Sequence, residues 1–171
     1  ILANCEIKKL KKYVDFVPGF EPGSAKYKSE YRNNLVNFIR VRDLGAGGKK
    51  VYIEKQHTQG KLLKKEDIII SLDGTVGRVR IGFTGLYSSG IRKVVRKKNC
   101  PIGWAYIYSL LLSEKIQNVI KSHARGTTIL HAGTSVKHME FVLPNDLTIL
   151  NKFEKIGSNI LNQIINLNEK N

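Results

Sequence analysis

Two cysteines in 171 residues, Cys5 and Cys100, are too few for a disulfide framework and point to a reducing, cytoplasmic setting. No apolar run approaches the roughly 20 residues that a membrane span needs, and no signal-peptide pattern opens the chain. A membrane partner is therefore not expected. The chain starts at Ile1 without Met, which suggests a trimmed or cut form of something longer. Phosphate-binding loops are missing too: Gly48-Lys49 and Gly60-Lys61 lack the spacing and the hydroxyl of a Gly-x-x-x-x-Gly-Lys-Ser/Thr motif. Gly45-Ala46-Gly47-Gly48 has no third glycine where a helix would open. His123, His131 and His138 are not joined by a cysteine pair, so no metal site is assigned. Asp67 and Asp73 flank one strand, yet no Glu-x-Lys follows to complete a Mg²⁺ site of the nuclease type. Nowhere does a nucleophile stand beside its base. These absences leave no catalytic residue, no metal ligand and no cofactor in this chain.

Acid is the other scarcity. There are 29 Lys and Arg against 14 Asp and Glu, a net charge of +15. Residues 1–100 hold 22 basic against 9 acidic side chains, and residues 101–171 hold 7 against 5. Such an excess exceeds what solubility requires and suits a polyanion. The four doublets Lys8-Lys9, Lys49-Lys50, Lys64-Lys65 and Lys97-Lys98 also fit plain surface decoration.

Periodicity divides the chain. Ile7, Leu10, Tyr13 and Val14 among lysines suggest a short amphipathic turn or an edge strand. Two prolines and two glycines in Phe16 to Ser24 argue against regular structure there. Strands are read at Val36–Val41, Val51–Glu54, Asp67–Leu72, Gly77–Ile81, Ile91–Arg96 and Met139–Leu143. Asp67–Leu72 is apolar without alternation, as a strand buried on both faces would be. In Gly77–Ile81 the alternation turns Arg78 and Arg80 outward. The stretch Gly126–Gly133 is read as a further strand ending in a small polar turn. Trp104 to Ala124 carries one helical stripe, stopped at Gly126. The fold class is α+β: a mixed, twisted β-sheet domain with packed helices, over residues 1–145. A long helix over 146–171 follows, running from about Thr148 to Glu169. Along it Ile149, Phe153, Ile156, Ile160, Ile164 and Leu167 form a narrow seam of the coiled-coil kind, suited to a partner helix. An ordinary helix lying on the domain is the other reading.

The residues also match a known pattern. In order come Gly19-Phe20-Glu21-Pro22-Gly23-Ser24, Phe38 to Leu44, Asp67 to Gly77, Tyr87 to Val94, Gly126 to His131, and Leu143-Pro144 before a long helix. This series resembles the target recognition domain of specificity (S) subunits of type I restriction-modification systems. No single piece is specific, but the order spans nearly the whole chain. The resemblance implies a non-catalytic, sequence-specific reader of double-stranded DNA that recognises half of a split site. It further implies docking to methyltransferase (M) and restriction (R) subunits. S-adenosylmethionine, ATP and Mg²⁺ would belong to those partners. Family subunits pair two domains through two antiparallel helices. Here one domain and one helix suggest half of a full subunit, or a half-subunit that forms a homodimer through its helix. The DNA-reading part of a single-chain restriction-methylation enzyme is the alternative; residues upstream of Ile1 would separate the two. An RNA-binding module is disfavoured, because aromatics exposed on strands are not evident.

Candidate DNA contacts follow from residue type. Arg40, Arg42, Arg78 and Arg80 suit phosphates. Lys55, Gln56, His57, Gln59 and Lys61 form one polar loop, Ser88, Ser89 and Arg92 another, and Thr127, Thr128 and His131 a third. Arg reads guanine, Gln or Asn reads adenine, and hydroxyls read either. Each is equally a turn residue by type. Ser88-Ser89 and Thr127-Thr128 lie inside the shared signature, which favours scaffold or phosphate roles. The Lys55–Lys61 loop lies outside it and is the better place for base reading.

Overall fold

The computed structural model describes residues 5–45, 48–57 and 62–169. Among them are strands β1 (Cys5–Lys9), β2 (Val14–Pro18), β3 (Leu35–Ile39), β4 (Tyr52–Glu54), β5 (Ile68–Ser71), β6 (Val79–Arg80), β7 (Leu86–Tyr87), β8 (Ile91–Arg96) and β9 (Glu140–Pro144). The helices are α1 (Trp104–Leu112), α2 (Glu114–Ser122) and α3 (Thr148–Glu169). The class is α+β, but the strands divide into three sheets. An antiparallel sheet runs β2-β8-β5-β6, a second runs β4-β3-β7 with β3 and β7 parallel, and β1 pairs with β9.

β5 explains its own sequence. Ile68, Ile70 and Leu72 belong to the main core, beneath the helices, with Ile107, Leu111, Ile116 and Ile120. Ile69 faces the opposite way, into a second cluster with Ile39, Leu44, Tyr87 and Ile91. A strand covered on both faces is apolar through its body, and its one polar residue, Ser71 at the end, is buried with its hydroxyl bonded. A third cluster, Phe38, Ile53 and Leu86, lies under the three-stranded sheet.

Several expectations are corrected. Val14–Pro18 is regular after all: β2 is an edge strand and Pro18 is its last residue, where a missing N–H removes no interior ladder bond. Near the N-terminus both readings hold, since strand β1 is followed by a single 3₁₀ turn at Leu10–Lys12. Arg40 and Val41 fall outside β3, and Val41–Leu44 is a 3₁₀ turn. The strand read at Gly77–Ile81 shrinks to Val79–Arg80. The single helix read over Trp104–Ala124 is two, because Ser113 is extended (ψ 144°) and caps α2, its Oγ accepting from the Ile116 N–H at 3.4 Å. Its end is His123, not Gly126. Gly126–Gly133 is not a strand; it forms most of a closed loop.

α3 lies on the domain, as an ordinary helix would, and leaves most of the expected seam exposed. Leu150, Leu161 and Ile165 are buried against the domain. The Glu154 carboxylate accepts from the N–H groups of Ala105 (3.0 and 3.1 Å) and Tyr106 (3.2 Å) at the start of α1. Gly103 precedes that helix and offers no side-chain cap, so a carboxylate from α3 serves the exposed donors and the helix dipole. The seam residues Ile149, Phe153, Ile156 and Ile160 face outward, Ile156 being 65% exposed. Leu167 is also largely exposed and Ile164 is half-buried.

Candidate nucleic-acid interface

Four loops meet just beyond the end of β5. The N–H groups of Leu72 and Asp73 donate to Gly90 O at 3.0 and 3.2 Å, which joins the 72–78 turn to the Ser88–Gly90 turn. The Ala132 N–H donates to Leu72 O (2.7 Å) and the Gly74 N–H to Leu130 O (2.8 Å), which brings in the loop before Ala132. That loop is closed by reciprocal backbone bonds between Arg125 and His131, at 2.7 and 3.1 Å. The fourth piece is the Val41–Leu44 turn. A Cβ on Gly90 would lie 2.7 Å from a Val41 methyl carbon, and one on Gly74 3.6 Å away. Gly90 is therefore required for close packing, while Gly74 adopts φ +74°, a conformation few other residues tolerate.

Asp73 sits at the junction. Its Oδ2 accepts from Arg92 Nη2 at 3.1 Å and its Oδ1 is 2.8 Å from His131 Nδ1. Arg92 also donates through Nη1 to Ser89 O and to Ile91 O, the latter at 3.3 Å. One carboxylate thus ties a guanidinium from the start of β8 and an imidazole from the 125–131 loop, 19 and 58 residues away. Ser71 braces the floor: its buried hydroxyl donates to Thr75 O (2.5 Å) and accepts from the Arg78 N–H (3.0 Å).

Basic groups surround this junction. The Arg42 side chain is 68% exposed. The Arg78 guanidinium lies against Gly45 and reaches Val41 O at 3.5 Å. Ser89, Thr127 and Thr128 are exposed on adjoining loops, and the His131 side chain is 65% exposed despite its bond to Asp73. The arrangement is a stiff platform with cations and hydroxyls on its rim, able to hold phosphates.

The other predicted residues lie elsewhere or are occupied. Arg40 is 8% exposed; its Nε and Nη2 each donate to Asp43 at 2.8 Å, and Nη2 also donates to Lys49 O at 2.7 Å. Ser88 is buried within the turn. Arg80 lies toward α1, near enough to Tyr108 to favour that phenol's charged form, although burial dominates and raises its pKa. Lys55 and Gln56 are exposed on a 3₁₀ turn, Lys55–His57, directly after β4. Gln59 and Lys61 lie outside the described residues, as does the side chain of His57. His123 and His138 stack at 4.2 Å between centroids, away from His131. Partial desolvation and the neighbouring His123 lower the pKa of His138. Among the described residues no three His, Cys, Asp or Glu side chains gather as a metal site. Asp73 is the residue that sequence reasoning left out of the site. Its position before Gly74 in a strand-ending turn is the local signal; its partners are too distant in sequence to be seen.

The profile of the type I restriction modification DNA specificity domain matches residues 6–170, and the chain belongs to that family. It is a specificity component, not a catalytic one. No curated sequence matches it. Among solved structures it is similar to the type I restriction-modification S subunit of M. genitalium, with a TM-score of 0.63 and 16% identity over 91% of this chain and 38% of that one. The HsdS subunit of Thermoanaerobacter tengcongensis gives 0.62 and 16%, covering 99% of this chain and 40% of that one. A chain from a study of complex assembly and conformational transition of the type I system gives 0.61 and 14%, covering 99% and 42%. At these identities the likeness concerns the fold, and the chain spans about two fifths of the length of each relative.

Proposed function

We propose that this chain reads one half of a divided DNA target and delivers methyltransferase and restriction subunits to it. The observation that carries the proposal is the junction at Asp73, where four loops are locked together under a rim of Arg42, Arg78 and His131. Residues 1–145 act as the reader and 146–171 as the arm. The seam of Ile149, Phe153, Ile156, Ile160, Ile164 and Leu167, exposed except at the half-buried Ile164, accepts a helix of a second domain or of a second copy. Methyl transfer to adenine N6, ATP use and cleavage are the work of the partner subunits, which hold S-adenosylmethionine, ATP and Mg²⁺. Phosphate contacts supply affinity and base contacts supply choice.

The test is a map of N6-methyladenine in cells that carry a matched methyltransferase subunit, with and without this chain. A methylated motif that appears only with the chain is expected. A palindromic motif indicates a homodimer of half-subunits, and an asymmetric split motif indicates a second reading domain. A complex that forms yet methylates no motif contradicts the proposal. Replacing Ile156 by Glu, at an exposed seam position, is expected to leave folding intact and to abolish helix-mediated assembly, read by mass in solution.

A further inference from the structure

Beside the three-stranded sheet a polar cleft of about 450 Å³ opens between the Tyr27–Asn34 segment and β4, lined by Lys28, Arg32, Asn34 and Glu54. We infer that this cleft is a base-reading subsite for the major groove, with Arg32, Asn34, Glu54 and the adjoining Gln56 as the discriminating side chains. The inference rests on the DNA-reading function proposed above.

The backbone of the cleft is fixed, Glu54 holds the Gln56 amide, and the basic and amide side chains of the 28–34 segment reach outward. Lys28 and Tyr52 exchange both backbone hydrogen bonds at 2.9 Å, and the Lys55 N–H donates to Asn34 O at 3.0 Å. The Leu35 N–H donates to Arg32 O at 2.9 Å, and the Tyr31 ring stands edge-on to Tyr52 with centroids 5.6 Å apart. Lys28, Arg32 and Asn34 are nonetheless exposed. Discrimination needs such a rigid base with polar tips, since ordering the tips is then the main entropic cost.

The chemistry is mixed, and that selects the groove. Arg32 donates in a fork that fits guanine O6 and N7, and the amides of Asn34 and Gln56 fit adenine N6 and N7. Glu54 only accepts. Glu30 and Glu54 balance Lys28 and Arg32 in the lining, and a carboxylate repels phosphate, so Glu54 suits an amine such as cytosine N4, or the Gln56 amide that it already holds. The major groove offers donors and acceptors in patterns that distinguish all four base pairs, whereas the minor groove offers almost only acceptors. The cleft lining from Tyr27 to Leu35, together with Glu54, also falls outside the residues that carry the family resemblance. It is continuous with Lys55 and Gln56, so the reading surface extends from that loop across the sheet edge.

The experiment compares wild type with Arg32→Lys, Asn34→Ala and Glu54→Gln in the methyltransferase complex. The readouts are the methylated motif in cells, and the ratio of affinities for cognate and singly mismatched duplexes. A ratio is insensitive to the fraction of protein that is folded. Arg32→Lys keeps the charge but loses the fork, so cognate discrimination is expected to fall roughly 10- to 100-fold at one base pair, with non-specific affinity kept. Lys26→Ala, at an exposed lysine outside the cleft, is expected to weaken all duplexes alike. Wild-type motif and wild-type ratios in all three cleft variants overturn the assignment and leave the DNA-reading proposal standing. A wild-type chain that specifies no motif overturns both.

Discussion

The Asp73 junction and the cleft beside β4 are both polar, and they are built in opposite ways. At the centre of the junction the polar groups are bonded to one another: Asp73 holds Arg92 and His131, Ser71 holds the 72–78 turn, and backbone bonds close the 125–131 loop. In the cleft the backbone is bonded, but Lys28, Arg32 and Asn34 extend from it into solvent. Satisfied networks stiffen a fold, whereas exposed forks and amides remain available to a ligand. On the proposals above, the junction positions the DNA and the cleft reads it. The junction is built largely from the stretches that carry the family resemblance, and the cleft lies outside them.

The comparison breaks most forcefully from below. Ile69 is fully buried and belongs to the cluster that underlies the junction. Ile69→Ala is expected to lower stability by about 2–5 kcal/mol, measured by urea unfolding, and to disable both regions together. Asp73→Ala acts more locally. It removes one acceptor from Arg92, which keeps Ser89 O and Ile91 O, and the partner of the exposed His131. The cost is about 1 kcal/mol, and hydrogen exchange is expected to rise in the 125–131 loop while the amides of β3 and β4 keep their protection. Arg42→Ala should change stability by no more than about 0.5 kcal/mol, because its side chain is largely in solvent. It is expected to weaken DNA binding evenly across sequences and reduce the slope of log affinity against log salt by about 1. The smallest effect falls on α3. The Thr148 hydroxyl first, and then the Thr148 N–H at 2.9 Å, hold the Asp146 carboxyl below the ordinary value. The contribution is complete above the ordinary carboxylate range and is lost as pH falls below it, through the lowered value. Amides in the first turn of α3 should therefore exchange faster, relative to the rest of that helix, at pH about 3 than at pH about 6.

Much of the frame was legible in the sequence because burial leaves periodic marks. The run Ile68-Ile69-Ile70 announced a strand covered on both faces, and the spacing from Ile149 to Leu167 announced α3 with its ends at Thr148 and Glu169. Where the reading failed, a local feature opposed the period. The helical stripe continues through Ser113, yet that residue's extended backbone and capping hydroxyl divide it. Ile129 and Leu130 look like strand residues, but they are exposed on a closed loop. Pro18 and Phe16 looked irregular because a proline at the last position of an edge strand has no distinctive pattern. The candidate site was legible in its rim and not at its centre. Arginines and hydroxyls can be picked out by type. The commitment of Arg40 to Asp43, and of Arg92 to Asp73, depends on how the turns fold back.

The most direct test places the two regions side by side on DNA. Salt dependence and discrimination between cognate and singly mismatched duplexes would be measured for the complex carrying Arg42→Ala and for that carrying Asn34→Ala. The account predicts that Arg42→Ala lowers the salt slope by about 1 and leaves the discrimination ratio intact, and that Asn34→Ala keeps the slope and lowers the ratio roughly tenfold or more. The reverse pattern, with the cleft variant changing only the salt slope and the junction variant changing the preferred sequence, would contradict it.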